Sequence, residues 1–297
     1  MFDRQKTARS VISGCVAALG AAALFLFGGS AQAQQFIYGN SASSTPQNLY
    51  KIDVNTGAVV KTCTMNKGNG RGIVVVGTTV YYTVAGSNSI FKTDINTCAD
   101  MGVAFSVAGA TGLSTIAYDG TNFWVGDYSG TNQAYNISPT GLLLSTIHLN
   151  SCSSFCDGLE FFNNKLISNR GDAVNPGHYD VYALTGGAPT TLDLISTAFS
   201  ATGIAFDGTN FFVSDIFNQK LQVYNGTTGV FVRTITVTGM AAGDNVLEDL
   251  SADYQQVLNP PPPVSSVVPT LSEWNLIALV LMLAAFGLFS AYRARRV

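Results

Sequence analysis

Four carboxylates and one guanidinium stand where this chain could do chemistry. Asp157 and Glu160 lie in "CDGLEFF", Glu248 and Asp249 in "NVLEDLS", and Arg71 in "NGRGIVV". Carboxylates gathered at one place can act as general acid and base, or can hold a calcium ion through their oxygens. A guanidinium beside them keeps one ionised. Other chemistries lack their residues: there is no G-x-S-x-G nucleophile elbow, no P-loop and no paired-histidine motif. The two histidines, His148 and His178, are not at metal-ligand spacing. No cofactor, metal site or catalytic residue is therefore expected.

The ends of the chain say where these residues work. Arg4, Lys6 and Arg9 form a positive start, Val16 to Phe27 is apolar, and Ala31-Gln32-Ala33 offers a small-residue cleavage site. That order reads as a secretory signal peptide over 1–33, cut after Ala33 by signal peptidase. Between it and the last 29 residues, nine Lys/Arg face sixteen Asp/Glu. Nucleic-acid binding needs clustered cations to displace counterions from phosphates, so that class is set aside. An exported chain with four body cysteines, Cys63, Cys98, Cys152 and Cys156, is expected to hold disulfides rather than thiols or zinc.

The elements that must position all these residues come from a repeat. "GLSTIAYDGTNFWVGDYSG" and "ATGIAFDGTNFFVSDIFNQ" each show an apolar run, an Asp-Gly turn, and alternation of large apolar with polar residues. Each reads as two strands in a hairpin, since Asp-Gly accepts the positive φ of a tight turn. Weaker copies place the equivalent turn residues at Val76, Asp119, Phe162, Asp207 and Asp253, with spacings of 43, 43, 45 and 46. A period in the low-to-mid forties with four strands per unit is the mark of propeller blades. The last unit has a first strand and no partners, whereas the segment from Gln35 has second, third and fourth strands and no first. We read an all-β, single five-bladed β-propeller over 34–257, its ring closed by strand 249–253. Closure removes sheet edges that would otherwise pair with other chains.

The repeat also informs the finer expectations. "DVNTG" (53–57) and "DINTC" (94–98) are the same turn in neighbouring blades, so Cys98 stands where Gly57 supplies positive φ. Cys63, on the adjacent outer strand, is its expected partner; Cys152 and Cys156 would brace their own loop. In the first strands, small residues (Gly72, Ala117, Gly158, Gly203, Ala205, Ser251) fall near the axis, alternating with larger Ile73, Ile116, Leu159, Ile204 and Leu250. Arg71, Asp157, Glu160, Glu248 and Asp249 then form a polar cluster at the channel mouth. Glu160 takes a slot held by Val74, Ala117, Ala205 and Ser251 elsewhere. It serves acid–base chemistry there, or is solvated in the channel and paired with Arg71; the second reading needs no ligand and is preferred. Trp124, Phe123, Phe211, Phe212 and Tyr128 read as blade core or rim.

After the repeat come "NPPPPVSSV", a stiff Pro-rich spacer over 258–267, then "VPTLSEW", an apolar run at 276–292 and "RARRV". Seventeen apolar residues reach the short limit for one transmembrane helix, with the arginines left in the cytoplasm. Val268, Pro269, Thr270, Leu271, Ser272, Glu273 and Trp274 resemble the IPTL-CTERM sorting signal of Gram-negative bacteria. Val268 replaces the usual Ile, and Asn275 stands where Gly is common. The resemblance implies processing of region 268–297 by an exosortase-type membrane transpeptidase. The protein would be held briefly in the inner membrane with its propeller in the periplasm, then delivered to the cell surface or beyond. A permanent tail anchor is the alternative. The repeats themselves resemble NHL or lactonase-like propellers, a likeness of fold.

Two functions follow as expectations: a non-catalytic module binding extracellular polysaccharide or a surface protein, or a secreted propeller hydrolase, lactonase- or glycosidase-like, built on the carboxylate cluster. The metal-binding lactonase pattern wants a Glu and several Asn/Asp converging from different blades, and the near-axis carboxylates are fewer than that. The non-catalytic reading is preferred.

Overall fold

The computed structural model describes residues 36–42, 47–127, 131–149, 158–169, 179–192, 201–258 and 278–285. The chain divides into two units, Gln34–Pro261 and a second made of Met1–Ala33 with Pro262–Val297. The first carries β1 (Phe36–Asn40), β2 (Asn48–Asp53), β3 (Val59–Thr64), β4 (Gly70–Val76), β5 (Thr79–Val84), β6 (Ser89–Asp94) and β7 (Asp100–Ser106). It continues with β8 (Leu113–Tyr118), β9 (Phe123–Asp127), β10 (Gln133–Ile137), β11 (Leu143–His148), β12 (Leu159–Phe162), β13 (Lys165–Asn169), β14 (Tyr179–Ala183) and β15 (Thr190–Leu192). It ends with β16 (Ala201–Phe206), β17 (Asn210–Asp215), β18 (Lys220–Asn225), β19 (Phe231–Thr236), β20 (Leu250–Ser251) and a short helix α1 (Tyr254–Leu258).

These strands form five antiparallel four-stranded sheets: β20-β1-β2-β3, β4-β5-β6-β7, β8-β9-β10-β11, β12-β13-β14-β15 and β16-β17-β18-β19. They are the five blades, one to five, expected from the period. Blade one is assembled from both ends of the domain, Tyr38 opposite Ser251 and Gly39 opposite Leu250, so the ring closes as the missing-strand pattern predicts.

The core is a set of five interfaces, each shared by two successive blades. Ile73 and Val75 of β4 pack towards blade one with Tyr38 and Leu49. Val74, between them, packs towards blade three with Ile116 and Phe123. Alternate side chains leave a strand on opposite faces. A sheet covered on both faces therefore needs apolar residues at consecutive positions, and "GIVVV" supplies them. Outer strands cover less: Leu142, Leu144, Val230 and Val232 stand exposed.

Glycines set how closely the first strands approach. A Cβ at Gly203 would lie 2.5 Å from the Asp249 Cα, and one at Gly72 2.6 Å from the Thr115 Cα. Real side chains do not tolerate such distances, so backbone abuts backbone where the blades converge.

Local turns show one refinement. Asp-Gly does supply positive φ, +98° at Gly120 and +97° at Gly208, but the connection is a four-residue Asp-Gly-Thr-Asn loop. The Asp119 side chain accepts the Thr121 and Asn122 N–H groups at 2.9 and 2.7 Å; Asp207 treats Thr209 and Asn210 in the same way. α1 is a further addition, five residues long and too short for periodicity to reveal. The expected Cys63–Cys98 bond is present, Cα atoms 5.2 Å apart. Cys98 has φ +60° where Gly57 has +75°. The second pair, Cys152–Cys156, lies outside the described residues.

In the second unit, residues 278–285 are helical. The rest of the expected 276–292 span lies outside the described residues, as do the Ala31/Ala33 cleavage site and Val268–Trp274. No helix among the described residues is long and apolar enough to cross a membrane.

Candidate functional site

The channel-lining groups are built around β20. Residues two apart on a strand face the same way, and here Asp249, Ser251 and Asp253 all face β4. Asp249 Oδ2 accepts the Ile73 N–H at 3.1 Å, Ser251 Oγ the Val75 N–H at 2.9 Å, and Asp253 Oδ1 the Gly77 N–H at 2.9 Å. Three side chains thus do for the blade-one/blade-two seam what a backbone ladder does inside a sheet. A buried N–H without a partner costs about 1–3 kcal/mol, so each of these acceptors removes a penalty from ring closure.

A related device works inside the blades, where first strands lose their regular pairing. Gly72 donates its N–H to Thr83 Oγ1 at 2.7 Å, and Gly203 donates to Ser214 Oγ at 2.9 Å, equivalent positions in blades two and five. Glu160 belongs with the β20 side chains, as an acceptor across a seam. It stands two residues before its turn position, as Ser251 does, and its Oε2 accepts the Phe206 N–H at 2.9 Å. Phe206 is the counterpart of Val75. The odd carboxylate in the small-residue slot is a clamp between blades four and five.

Its other oxygen reaches across the channel. Glu160 Oε1 accepts the Phe161 N–H at 2.8 Å and a close hydrogen bond from the Tyr254 hydroxyl. Tyr254 enters from the first turn of α1, is 3% exposed, and meets Tyr118 edge-on at 6.0 Å between ring centres. Glu160 is 1% exposed. Burial pushes its carboxyl up to about 8, against the pull of the Tyr254 hydroxyl and the two amides. Burial and the neighbouring Glu160 likewise hold the Tyr254 phenol well above its usual range. The expectation of a solvated Glu160 paired with Arg71 therefore gives way to a buried Glu160 paired with Tyr254. Solvent exclusion at the axis, which no single strand can report, is the reason.

Arg71 pairs instead with Glu248, Nη1 to Oε1 at 2.5 Å, Arg71 20% and Glu248 5% exposed. Next to them Asn40 Oδ1 accepts the Asp249 N–H at 2.9 Å and the Asn40 carbonyl accepts the Glu248 N–H at 2.9 Å, tying β1 to the closing segment. Asp249 is buried and its carboxyl is raised well above the ordinary value, first by burial and further by Glu248 and Glu160. Asp249 Oδ1 has no hydrogen-bond partner among the described residues.

Arg71, Glu248 and Asp249 thus gather at one end of the closing strand, while Glu160 is engaged elsewhere; Asp157 lies outside the described residues. Among the described residues no group of three or more His, Cys, Asp or Glu side chains is placed to hold a metal ion. His148 ends β11 exposed; Phe123, Trp124, Phe211 and Phe212 are buried; His178 and Tyr128 lie outside the described residues. Tyr254, Asn40, Ser251 and Asp253 are the residues that sequence reasoning missed. The alternation Asp249-x-Ser251-x-Asp253 was the available signal, since a buried first strand has little reason to carry polar groups at every second position.

Comparison with known proteins adds two findings. Residues 268–296 match the IPTL-CTERM motif. Among solved structures the chain is similar to one from a nidogen/laminin complex, at 9% identity and TM-score 0.52, covering 75% of this chain and 99% of that one. It is also similar to a glutaminyl cyclase from Myxococcus xanthus, at 10% identity and TM-score 0.44, covering 69% of this chain and 82% of that one. At 9% identity the first likeness is one of fold. No curated protein sequence matches the chain.

Proposed function

We propose that this is an exported, surface-sorted β-propeller that acts as a non-catalytic binding module for extracellular polysaccharide or a surface protein. The observation that carries it is the IPTL-CTERM motif at residues 268–296, which follows a closed propeller in the same chain. A sorting signal of this kind calls for a membrane-associated enzyme that recognises "VPTLSEW", an exosortase-type transpeptidase. The Pro-rich spacer keeps the folded propeller from blocking that enzyme's approach. Before processing, the apolar tail holds the protein in the inner membrane with the propeller outside the cytoplasm.

The binding reading is favoured over the hydrolase reading by what the carboxylates are doing. Glu160 spends both oxygens on two amides and a phenol, and Glu248 is paired with Arg71. A general acid or base must reach a substrate proton directly or through one water; groups already engaged in holding blades together are poorly placed for that.

Replacing Pro269-Thr270-Leu271 with alanines tests the sorting half. Export and folding should persist while full-length protein accumulates in the inner membrane. Arrival of the altered protein at the surface with an unchanged mature mass would replace sorting with a plain tail anchor. Hydrolysis of lactones or glycosides by the purified protein, abolished by Glu160→Gln, would bring back the hydrolase reading.

A further inference from the structure

The outer strand of each blade is a sheet edge, and these edges are not alike. An unpaired edge offers its N–H and C=O groups to any other chain, and folded proteins guard against this with charge or proline. "TGAVVKTC" (56–63), "TGLLLSTI" (140–147) and "TGVFVRTI" (228–235) are one repeat in blades one, three and five. In all three the pairing with the third strand skips a residue, Val60, Leu144 or Val232. The residue after the skip is Lys61 in blade one and Arg233 in blade five, but Ser145 in blade three. Blade two carries Asp100 at the start of its outer strand. Blade four has Pro189, which has no amide to offer, directly before β15. Only β11 has neither guard.

That edge is also apolar and uncovered. Leu142, Leu143 and Leu144 are 64, 42 and 48% exposed, and Ser145 and Thr146 stand exposed beside them. β11 bonds inward to β10 and ends its sheet. The turn of blade four meets only its far end, where Gly186 faces Ile147. From Thr131 to Leu149 the chain contains no Lys, Arg, Asp or Glu, so charge decides which strand can lie against it. Like charges opposite each other destabilise an antiparallel pair, and a charge lowered onto an apolar seam without a partner costs more. The outer strands of blades one, two and five in a second copy would bring Lys61, Asp100 or Arg233 to an edge that cannot neutralise them. A second copy of β11 brings no such charge. Two-fold symmetry sets it antiparallel to itself about Ser145, so one patch serves both partners.

We propose that the outer edge of blade three, residues 142–146, pairs with the same edge of a second copy of this chain, β11 against β11, to make an isologous dimer. This goes beyond the binding-module reading and does not rest on it. A dimer of this kind presents two propellers to one ligand chain, which raises avidity without any new contact.

Sedimentation of the full-length chain in detergent should show monomers and dimers in exchange, with no larger species. Ser145→Lys gives blade three the guard of blade one. It should weaken dimerisation by at least about tenfold, since symmetry sets the two new ammonium groups against each other. Leu144→Lys should act likewise, whereas Val232→Lys, at the same step of β19, should not. All three sites are exposed, so thermal midpoints should hold; should Leu144→Lys melt early, Ser145→Lys decides alone. A parent chain that stays monomeric up to its solubility limit overturns the proposal. So does a dimer that survives Ser145→Lys, which would place the contact in the apolar tail or on another face. A growing ladder of larger species overturns it too, because an isologous contact closes at two. Monomers that bind polysaccharide or a surface protein would sink the dimer and leave the module reading standing. A Ser145-dependent dimer that binds neither would do the reverse.

Discussion

Replacing Glu160 by Gln should change how stability depends on pH, with a sign that follows from burial. In the unfolded chain the Glu160 carboxyl loses its proton near its ordinary 4.5, while in the folded channel it keeps the proton up to about 8. Between those values unfolding releases a proton, so rising pH favours the unfolded state. The folded protein loses stability as pH climbs through this window and levels off above it. At about 1.4 kcal/mol per pH unit the full effect approaches 5 kcal/mol, and relaxation around the buried pair makes about 2 kcal/mol between pH 5.5 and 7.5 a more realistic expectation. Gln cannot ionise and should lack this component, so the variant gains on the parent as pH rises, whatever the cost of the swap at pH 5. Asp249, also raised by burial, slopes the same way in both proteins and largely cancels in the comparison. Urea unfolding at several pH values, followed by the fluorescence of buried Trp124, reads the difference directly. A constant gap between variant and parent from pH 5 to 8, or one that moves the other way, would show that Glu160 is ionised and solvated after all.

Three further outcomes follow from the packing. Cys63→Ser with Cys98→Ser opens a loop of sequence separation 35 and should cost about 4 kcal/mol by the chain-entropy scale; equal denaturation midpoints with and without reductant would contradict it. Gly203→Ala places a methyl against the Asp249 backbone and should cost about 2 kcal/mol or more. Gly208→Ala, in an open turn at φ +97°, should cost about 1 kcal/mol, and a reversed order of melting temperatures would refute the close approach at Gly203. Deleting 249–258 removes the inner strand of blade one and the acceptors for Ile73, Val75 and Gly77; the product should lose its cooperative transition, and a sharp, near-parental melt would refute the ring-closing role.

The architecture could be read from the chain because it repeats. An Asp-Gly turn between apolar runs is a local signal, and the return of its equivalent position every 43 to 46 residues, with weaker copies between, counts the blades without any knowledge of contacts. Ring closure was legible for the same reason, one unit lacking the strand that another had spare. The Cys63–Cys98 pair was legible because Cys98 occupies a position where its sister turn has Gly57. The sorting motif needs no fold at all, being read as a linear stretch.

The site was another matter. Sequence marked Glu160 as the odd residue of its slot, but its partners, Phe206 and Tyr254, lie 46 and 94 residues further on. They meet it only because neighbouring blades converge and α1 turns a phenol into the axis. Charge at the channel mouth suggested Arg71 as its mate; distance gave that arginine to Glu248. Periodicity is set by bonds along the chain and survives in the sequence alone, whereas burial, pairing and cavities depend on which remote segments share a small volume, and only the tertiary structure decides that.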